Sequence, residues 1–196
     1  MNLEAAKREL RRQVGARRRA LSASSLDSVA ERVCEHLFAE RAFIGARRVA
    51  IYAALPEEVP TRPLFEALTR VGTTCLFPRV APGGQLCFSR VERWEDLHPR
   101  GNYGILEPSE AAPVSQPGDG DVVVVPGVAF DACGNRLGRG KGYYDRALSG
   151  ARDSQPLLIG AGYELQIVPS VPHDSRDWPM DAIVTEASLD WVARET

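Results

Sequence analysis

The residues with the clearest chemical potential lie in one short segment, GNRLGRGKGYYDRAL, which begins at position 134. Within it, three glycines alternate with the cations Arg139 and Lys141. Glycines let backbone N–H groups approach an anion closely, and guanidinium and ammonium groups supply the charge that a polyphosphate requires. The segment therefore predicts a phosphate-binding loop.

The residues on either side of the glycines extend this hypothesis. Arg136 precedes them, and Tyr143, Tyr144 and Asp145 follow. Aromatic rings offer flat faces to a heteroaromatic ligand, and a carboxylate can hold the Mg²⁺ that accompanies a nucleoside triphosphate. The segment has neither the GxxxxGK[ST] nor the GxGxxG pattern, so a glycine-rich surface loop with solvated cations remains the alternative.

The elements predicted around this loop form an α/β fold. The run DVVVVPG at 121–127 has the near-continuous apolar character of a parallel strand that is covered on both faces. Other strands are predicted at 47–55, 73–80, 86–91, 156–163 and, last in the chain, 181–186. Because helical patterns alternate with these strands, we expect a mainly parallel sheet. Such sheets bind ligands beyond the carboxyl ends of their strands, where the glycine segment lies.

Helical patterns are predicted at 2–21, from a Ser24 or Ser25 cap to about Glu40, at 61–72 with Thr61 as the cap, and from 141 onward. The Pro-, Gly- and Ser-rich stretch at 95–120 predicts a long surface connection.

The first predicted helix has two distinct faces. One is an apolar stripe formed by Leu3, Leu10, Val14 and Leu21. Lys7, Arg11 and Arg18 share another face, at helical spacings of four and seven residues. Taken alone, that pattern is typical of a solvated charged surface.

Composition excludes several classes of protein. The 196 residues are 44% hydrophobic and 26% charged, which predicts one globular domain over 1–196. A net charge of −2 favours neither nucleic acid nor an anionic membrane as a partner. No apolar run approaches the roughly 20 residues of a membrane span, and no secretory signal is visible. Four cysteines without CxxC spacing predict free thiols in the cytoplasm.

The sequence resembles the 5-formyltetrahydrofolate cyclo-ligase family at six places that follow one another in the same order. The most specific is VVVPGVAFDACGNRLGRGKGYYDRAL, and the others are AKRELRRQVGARRRALS, IYAALPEEVPT, LFPRV, YGILEP and DWPMDAIVTE. The resemblance implies a Rossmann-like three-layer α/β/α sandwich. It also implies the Mg²⁺-dependent conversion of ATP and 5-formyltetrahydrofolate to ADP, phosphate and 5,10-methenyltetrahydrofolate.

The resemblance further implies the residues of the site. Those matched to ATP binding are Lys7, Arg11, Arg136, Leu137, Gly138, Arg139, Gly140, Lys141, Gly142, Tyr143 and Tyr144. Those matched to folate binding are Ala53, Glu58, Tyr103, Arg139, Gly140, Lys141, Gly142 and Tyr143. The catalytic residues are Arg139, Lys141 and Tyr143, and the metal ligands are Asp145 and Asp177. Glu57 is an alternative to Glu58, Asp174 is an alternative to Asp177, and Tyr103 has an alternative role as a loop anchor.

In the implied mechanism, ATP phosphorylates the formyl oxygen, and N10 then closes the ring and displaces phosphate. At the start of a helix, Tyr143 and Tyr144 point about 100° apart. We therefore expect Tyr143 to border the N5-formyl group and Tyr144 to pack toward the sheet in support of the loop.

Three rival functions remain open from the sequence. Sugar-phosphate isomerases and acyl-CoA transferases use related architectures, but they give no reason for a Tyr-Tyr-Asp element after the glycines. An RNA-associated protein would interleave aromatic and basic residues, and the basic run from Lys7 to Arg19 contains no aromatic residue. The third rival is a family member that binds folate without turnover. We expect a monomer with small-molecule substrates and no nucleic-acid or membrane partner.

Overall fold

The computed structural model describes residues 2–21, 23–100, 104–148 and 155–193. Its helices are α1 (Leu3–Arg18), α2 (Ala23–Ala39), α3 (Arg41–Ile44), α4 (Arg62–Arg70) and α5 (Tyr143–Leu148). Its strands are β1 (Arg48–Ala50), β2 (Thr74–Val80), β3 (Leu86–Val91), β4 (His98–Arg100), β5 (Ile105–Glu107), β6 (Val122–Pro126), β7 (Ala129–Phe130), β8 (Arg136–Leu137), β9 (Leu157–Ala161), β10 (Ala182–Val184) and β11 (Leu189–Trp191). Short 3-10 turns cover Trp94–Asp96 and Glu164–Gln166.

The central sheet has seven strands in the order β11-β10-β9-β6-β1-β2-β3. The five inner strands run parallel, and only the edge strands β11 and β3 are antiparallel to their neighbours. This topology confirms the predicted α/β class and its mainly parallel sheet. The assignment of 1–196 to one domain stays a prediction.

The middle strands are covered on both faces, as the valine run predicts. Val49, Val122 and Val124 belong to a core cluster with residues of α2 and α4. Ala50 and Val123 belong to a second cluster, which includes residues of α5. Because successive side chains of a strand point to opposite faces, an uninterrupted apolar run is what a doubly covered strand requires.

Helix α1 packs against the small β7–β8 hairpin. Val14 is fully buried in a third cluster with residues of that hairpin, and Leu10 packs against it. The cationic face of α1 also turns inward, since Lys7 and Arg18 are each only 7% exposed. The interpretation of this face as a solvated surface is therefore wrong, and its buried cations need partners inside the protein.

Strand β1 is shorter than predicted because the chain leaves the sheet after Ala50. The hydroxyl of Thr61 donates to the carbonyl of Tyr52 in the departing segment. Thr61 occupies the N-cap position of α4, as predicted, but its side chain makes no cap hydrogen bond to the helix.

Two predicted boundaries are wrong, and one predicted connection contains strands that were not predicted. Helix α2 begins at Ala23, which places Ser24 and Ser25 inside its first turn. The predicted surface connection contains the antiparallel β4–β5 hairpin. The strand at 181–186 is not the last, because β11 follows and pairs with β10.

Candidate active site

A cavity of about 920 Å³ lies beyond the carboxyl ends of β1 and β6. Between these two strands the order of the sheet reverses, since β1 is followed by β2 on one side and β6 by β9 on the other. Loops that leave in opposite directions open a crevice, which is the usual ligand site of open α/β sheets. The lining residues are Glu4, Lys7, Arg11, Tyr52, Ala53, Leu55, Glu58, Pro78, Val80, Leu86, Ile105, Glu107, Pro126, Gly127, the continuous run 136–146, and 174–178.

The loop of residues 138–142, here called the glycine loop, lines this cavity directly before α5. Gly140 has a φ of +93° and Gly142 a φ of +61°, in the left-handed region that side chains disfavour. A Cβ at Gly138 would lie 2.9 Å from Nη1 of Arg136. Backbone conformation therefore favours glycine at 140 and 142, and packing against the buried Arg136 side chain favours it at 138.

Arg136 ties the start of this loop to α5. Its Nη2 donates to Oδ1 of Asp145 over 2.8 Å, and its Nη1 donates to the carbonyl of Pro126 over 3.3 Å. The guanidinium also lies 5.6 Å from the ring centroid of Tyr144. Arg136 is buried, so we interpret these contacts as the support that fixes the loop beside strand β6.

Two cations of α1 reach the cavity from the opposite wall. Nζ of Lys7 lies 2.6 Å from Oδ2 of Asp177, across 170 residues of sequence. Nε of Arg11 donates to the carbonyl of Gly138 over 2.9 Å. The structure thus brings both predicted α1 residues to the cavity, and Arg11 contacts the glycine loop directly. Lys141 is exposed, and within the described part of the chain its ammonium group has no hydrogen-bond or ion-pair partner.

The loop that follows β1, residues 51–61 (the β1 loop), supplies Ala53 and Glu58 to the cavity wall. Oε2 of Glu58 accepts the backbone N–H of Leu55 over 3.0 Å, and Oε1 accepts Nε of Arg139 over 3.1 Å. Nη2 of Arg139 donates to Oε1 of Glu57 over 2.7 Å. Sequence reasoning treated Glu57 as an alternative to Glu58, whereas the structure places both acids on the same guanidinium.

Tyr143 and Tyr144 both line the cavity and both pack against the core cluster on the α5 side of the sheet. The predicted contrast, in which only Tyr144 packs toward the sheet, is therefore wrong. Their environments still differ. The guanidinium of Arg146 lies 5.5 Å from the Tyr143 ring centroid. Burial, together with the negative charge of Glu58, raises the pKa of the Tyr144 phenol above its ordinary value.

The two predicted metal ligands each keep one carboxylate oxygen without a described partner. Both hydrogen bonds to Asp145 reach Oδ1, from Arg136 and from the N–H of Trp178. Both hydrogen bonds to Asp177 reach Oδ2, from Lys7 and from the N–H of Asp174. Among the described residues, no group of three or more His, Cys, Asp or Glu side chains forms a metal cage. One or two carboxylates beside a phosphate site fit Mg²⁺, which takes its other oxygens from water and phosphate.

The remaining predicted residues are placed as follows. Leu137 is buried in β8 and contributes to the base of the cavity. The alternative metal ligand Asp174 also lines the cavity and pairs with Arg176 at 2.6 Å. Tyr103 lies outside the described residues.

Two residues were missed by sequence reasoning, one beside the cavity and one in its wall. Arg18 is buried near Glu57, and its position seven residues after Arg11 was the available signal. Glu107 lines the apolar side of the cavity, and its Oε2 accepts the N–H of Val80 over 3.3 Å. Burial raises the pKa of Glu107 above its ordinary value. No sequence pattern distinguished this residue from other acids.

Together, the fold and the cavity define an α/β protein with a glycine-rich, cationic loop at the carboxyl edge of its sheet. The chain belongs to the 5-formyltetrahydrofolate cyclo-ligase family, whose model matches residues 3–186. A 5-formyltetrahydrofolate cyclo-ligase of Escherichia coli K12 is 30% identical over 179 residues, which cover 88% of this chain and 96% of that protein. The relative from Saccharomyces cerevisiae is 31% identical over 213 residues, covering 95% and 99%.

Solved structures agree with this assignment. The NMR structure of Aquifex aeolicus 5,10-methenyltetrahydrofolate synthetase is 35% identical with a TM-score of 0.83, over 97% of this chain and 94% of that one. The Mycoplasma pneumoniae 5,10-methenyltetrahydrofolate synthetase is 25% identical with a TM-score of 0.72, over 92% and 98%. These likenesses confirm the family and the enzymatic class. In the described portion of the chain, no helix has the length and apolarity needed to cross a bilayer.

Proposed function

We propose that this enzyme cyclises 5-formyltetrahydrofolate to 5,10-methenyltetrahydrofolate in a reaction that consumes ATP and requires Mg²⁺. The observation that carries the proposal is that one cavity joins two kinds of surface. A glycine loop with cations from two directions forms one side, and tyrosines with a buried acid form the other. An enzyme that activates one small substrate with a phosphoryl group from another needs both surfaces in contact.

The triphosphate side consists of the glycine loop and the cations around it. Backbone N–H groups at Gly138, Gly140 and Gly142 approach the phosphates, and Arg139 and Lys141 neutralise their charge. Lys7 and Arg11 act from α1, which closes over the same loop through the contact of Arg11 with Gly138.

Asp145 and Asp177 are the residues that would hold Mg²⁺, each through its unengaged oxygen. When bound, the ion neutralises charge on the phosphate oxygens. The ion pairs of these acids with Arg136 and Lys7 hold both carboxylates in place at the cavity wall.

The folate side is formed by Ala53, Glu58 and Tyr143, with Arg139 at the boundary between the two substrates. The ring of Tyr143 borders the formyl group. A carboxylate such as Glu58 accepts hydrogen bonds from the amino and ring N–H groups of a pterin. Because Nε of Arg139 donates to Oε1 of Glu58, a folate that binds this carboxylate competes with the guanidinium for that oxygen.

The proposed chemistry has two steps. The formyl oxygen attacks the γ-phosphorus of ATP, the bond from that phosphorus to the ADP oxygen breaks, and an N5-iminium phosphate forms. N10 then attacks the activated carbon, the carbon–oxygen bond breaks, phosphate departs and N10 loses a proton. Arg139 and Lys141 stabilise the negative charge on the transferring phosphoryl group, so catalysis is mainly positioning and charge stabilisation.

The test is an ultraviolet assay for methenyltetrahydrofolate formation with purified enzyme. We expect product only when ATP, Mg²⁺ and 5-formyltetrahydrofolate are all present, with one ADP formed per product. Turnover without ATP, or ATP hydrolysis uncoupled from ring closure, would contradict the proposal. Folate binding measured by calorimetry in the same preparation separates an inactive folate-binding protein from an unfolded one.

A further inference from the structure

Four charged side chains form a chain of contacts at the boundary between the glycine loop and the β1 loop. Arg139 contacts Glu57 and Glu58, and Arg18 lies behind Glu57. The contacts span α1, the β1 loop and the glycine loop, which are far apart in sequence. Arg139 and Glu58 take part in the proposed reaction, whereas Glu57 and Arg18 contact these groups without a role in it.

Glu57 holds Arg139 more directly than Glu58 does. The bond from Nη2 of Arg139 to Glu57 measures 2.7 Å, whereas both contacts of Arg139 with Glu58 measure 3.1 Å. Glu58 also uses its other oxygen to accept the N–H of Leu55. Glu57 does not line the 920 Å³ cavity but a smaller neighbouring one of about 400 Å³, which Arg18 also lines. It can therefore keep its hold on Arg139 while Glu58 meets a ligand.

The charge of Glu57 is maintained by its surroundings. Partial burial favours the neutral acid, but the hydrogen bond from Arg139 and the charges of Arg139 and Arg18 outweigh it, so the pKa of Glu57 lies below its usual value. A carboxylate that stays ionised can orient a guanidinium firmly, because a charge-assisted hydrogen bond is short and strong.

Arg18 is placed to act as the permanent counter-ion of Glu57. Its side chain is only 5% exposed, its Nη2 lies 3.9 Å from Oε1 of Glu57, and its Nη1 donates to the carbonyl of Gly127 over 3.4 Å. Gln166 donates to the same carbonyl over 2.8 Å, so the anchor is itself fixed. When a phosphate shares the charge of Arg139, Arg18 still compensates Glu57.

We propose that Glu57 and Arg18 are positioning residues, which hold the guanidinium of Arg139 in the orientation needed at the transferring phosphoryl group. The inference rests on the proposed function, in which Arg139 serves the triphosphate. An arginine side chain has many rotamers, and a second layer of charges that selects one of them raises the rate of a positioned reaction.

The decisive experiment measures steady-state kinetics for Glu57→Gln in two backgrounds. In the otherwise native enzyme we expect kcat/KM for ATP to fall at least tenfold. In an Arg139→Ala background we expect the same change to alter kcat/KM less than twofold, because Glu57 acts through Arg139. Glu66→Gln is the matched control, since Glu66 is an exposed acid bonded to Arg62 on α4. It should leave the kinetics unchanged.

The second arm tests Arg18. Arg18→Met should lower kcat/KM for ATP. Arg18→Lys keeps the counter-charge, so the logarithm of its kcat/KM should fall by no more than half as much. Arg17→Met, an exposed neighbour on α1, controls for a general effect on the helix. Thermal unfolding of every variant shows whether the kinetics come from folded enzyme.

The outcomes separate the inference from the function on which it rests. If Arg139→Ala itself leaves ATP kinetics unchanged, the proposed role of Arg139 fails. If Arg139→Ala is impaired while Glu57→Gln is not, only the positioning role fails. Equal losses from Glu57→Gln in both backgrounds would also overturn it, because Glu57 would then act independently of Arg139. A fall in melting temperature with unchanged kinetics in both the Glu57 and the Arg18 variants would show a purely structural role.

Discussion

The two ends of strands β1 and β6 carry similar charged groups and use them differently. At the amino end, Arg48 and Asp121 form an ion pair in which every group is engaged. Besides Asp121, the guanidinium bonds Oγ of Ser115 over 2.7 Å and the carbonyl of Gln116 over 3.0 Å. Burial disfavours ionised Asp121, but the hydrogen bonds from Arg48 and Gly118 outweigh it and lower its pKa.

At the carboxyl end, the charged groups are only partly engaged. Lys141 projects from the glycine loop, the side chain of Arg139 is 41% exposed, and Asp145 and Asp177 each leave one oxygen unused. The difference teaches that a charged residue marks a ligand site when its hydrogen-bonding capacity is incompletely used and accessible. When that capacity is used up inside the protein, the same residue types hold the fold together.

The largest expected effect lies at the amino end. Arg48→Met leaves the fully buried carboxylate of Asp121 without its main partner, which should lower the free energy of unfolding by about 3–5 kcal/mol. Folded enzyme should keep its kcat and KM, because this pair lies at the far end of the strands from the cavity. Urea denaturation measures the loss. Arg47→Met is the control, since Arg47 is exposed and lies 3.9 Å from the same acid. If Arg48→Met changed the KM for ATP and left the stability unchanged, the Arg48–Asp121 pair would serve ligand binding and not the fold.

The next effect separates the two cavity tyrosines. Tyr143→Ala should lower kcat with 5-formyltetrahydrofolate at least tenfold, and it should also cost about 1–2 kcal/mol of unfolding free energy, because its ring packs against the same core cluster as Tyr144. Tyr144→Ala should cost about 2 kcal/mol of unfolding free energy, because the ring packs beneath the guanidinium of Arg136. The cost is smaller than for a fully buried ring, because Tyr144 is partly exposed. Paired thermal unfolding and folate kinetics check both statements. Full activity of Tyr143→Ala would remove this residue from the catalytic set.

A smaller effect is expected for Lys141. Lys141→Ala should reduce kcat/KM for ATP at least tenfold, or about 1.4 kcal/mol, while the free energy of unfolding changes by less than about 0.5 kcal/mol. The reason is that Lys141 makes no side-chain contact that the described structure would lose. Arg90→Ala removes an exposed cation from β3 and serves as the control. Equal losses of activity in both variants would indicate a general effect of charge.

The smallest effect concerns the backbone of the glycine loop. Gly140→Ala and Gly72→Ala each place a side chain at positive φ, +93° and +82°, and each should cost about 1 kcal/mol of stability. Gly140→Ala should also raise the KM for ATP several-fold, because a changed loop conformation displaces its N–H groups. Gly72 lies at the end of α4 and should leave KM unchanged. If both variants have the native KM, the loop conformation does not matter for ATP.

The spacing of residue types along the sequence was enough to predict the features that depend only on neighbouring residues. The valines of β6, the interleaved glycines and cations, and the single face shared by Lys7, Arg11 and Arg18 follow from periodicity and side-chain chemistry. The same features carried the resemblance to the family. The β4–β5 hairpin and the early end of β1 were missed, because both depend on pairing and packing with distant segments.

What the tertiary structure alone decided is which charges meet. Lys7 reaches Asp177 across 170 residues and Arg139 reaches Glu57 across 82. Composition and spacing place cations and acids in the chain, but they do not rank the possible pairs. The partners are selected because β1 and β6 become neighbours in the sheet, and their loops then share one crevice with α1. Burial in that crevice makes an unpaired charge costly, and so converts proximity into specific pairing.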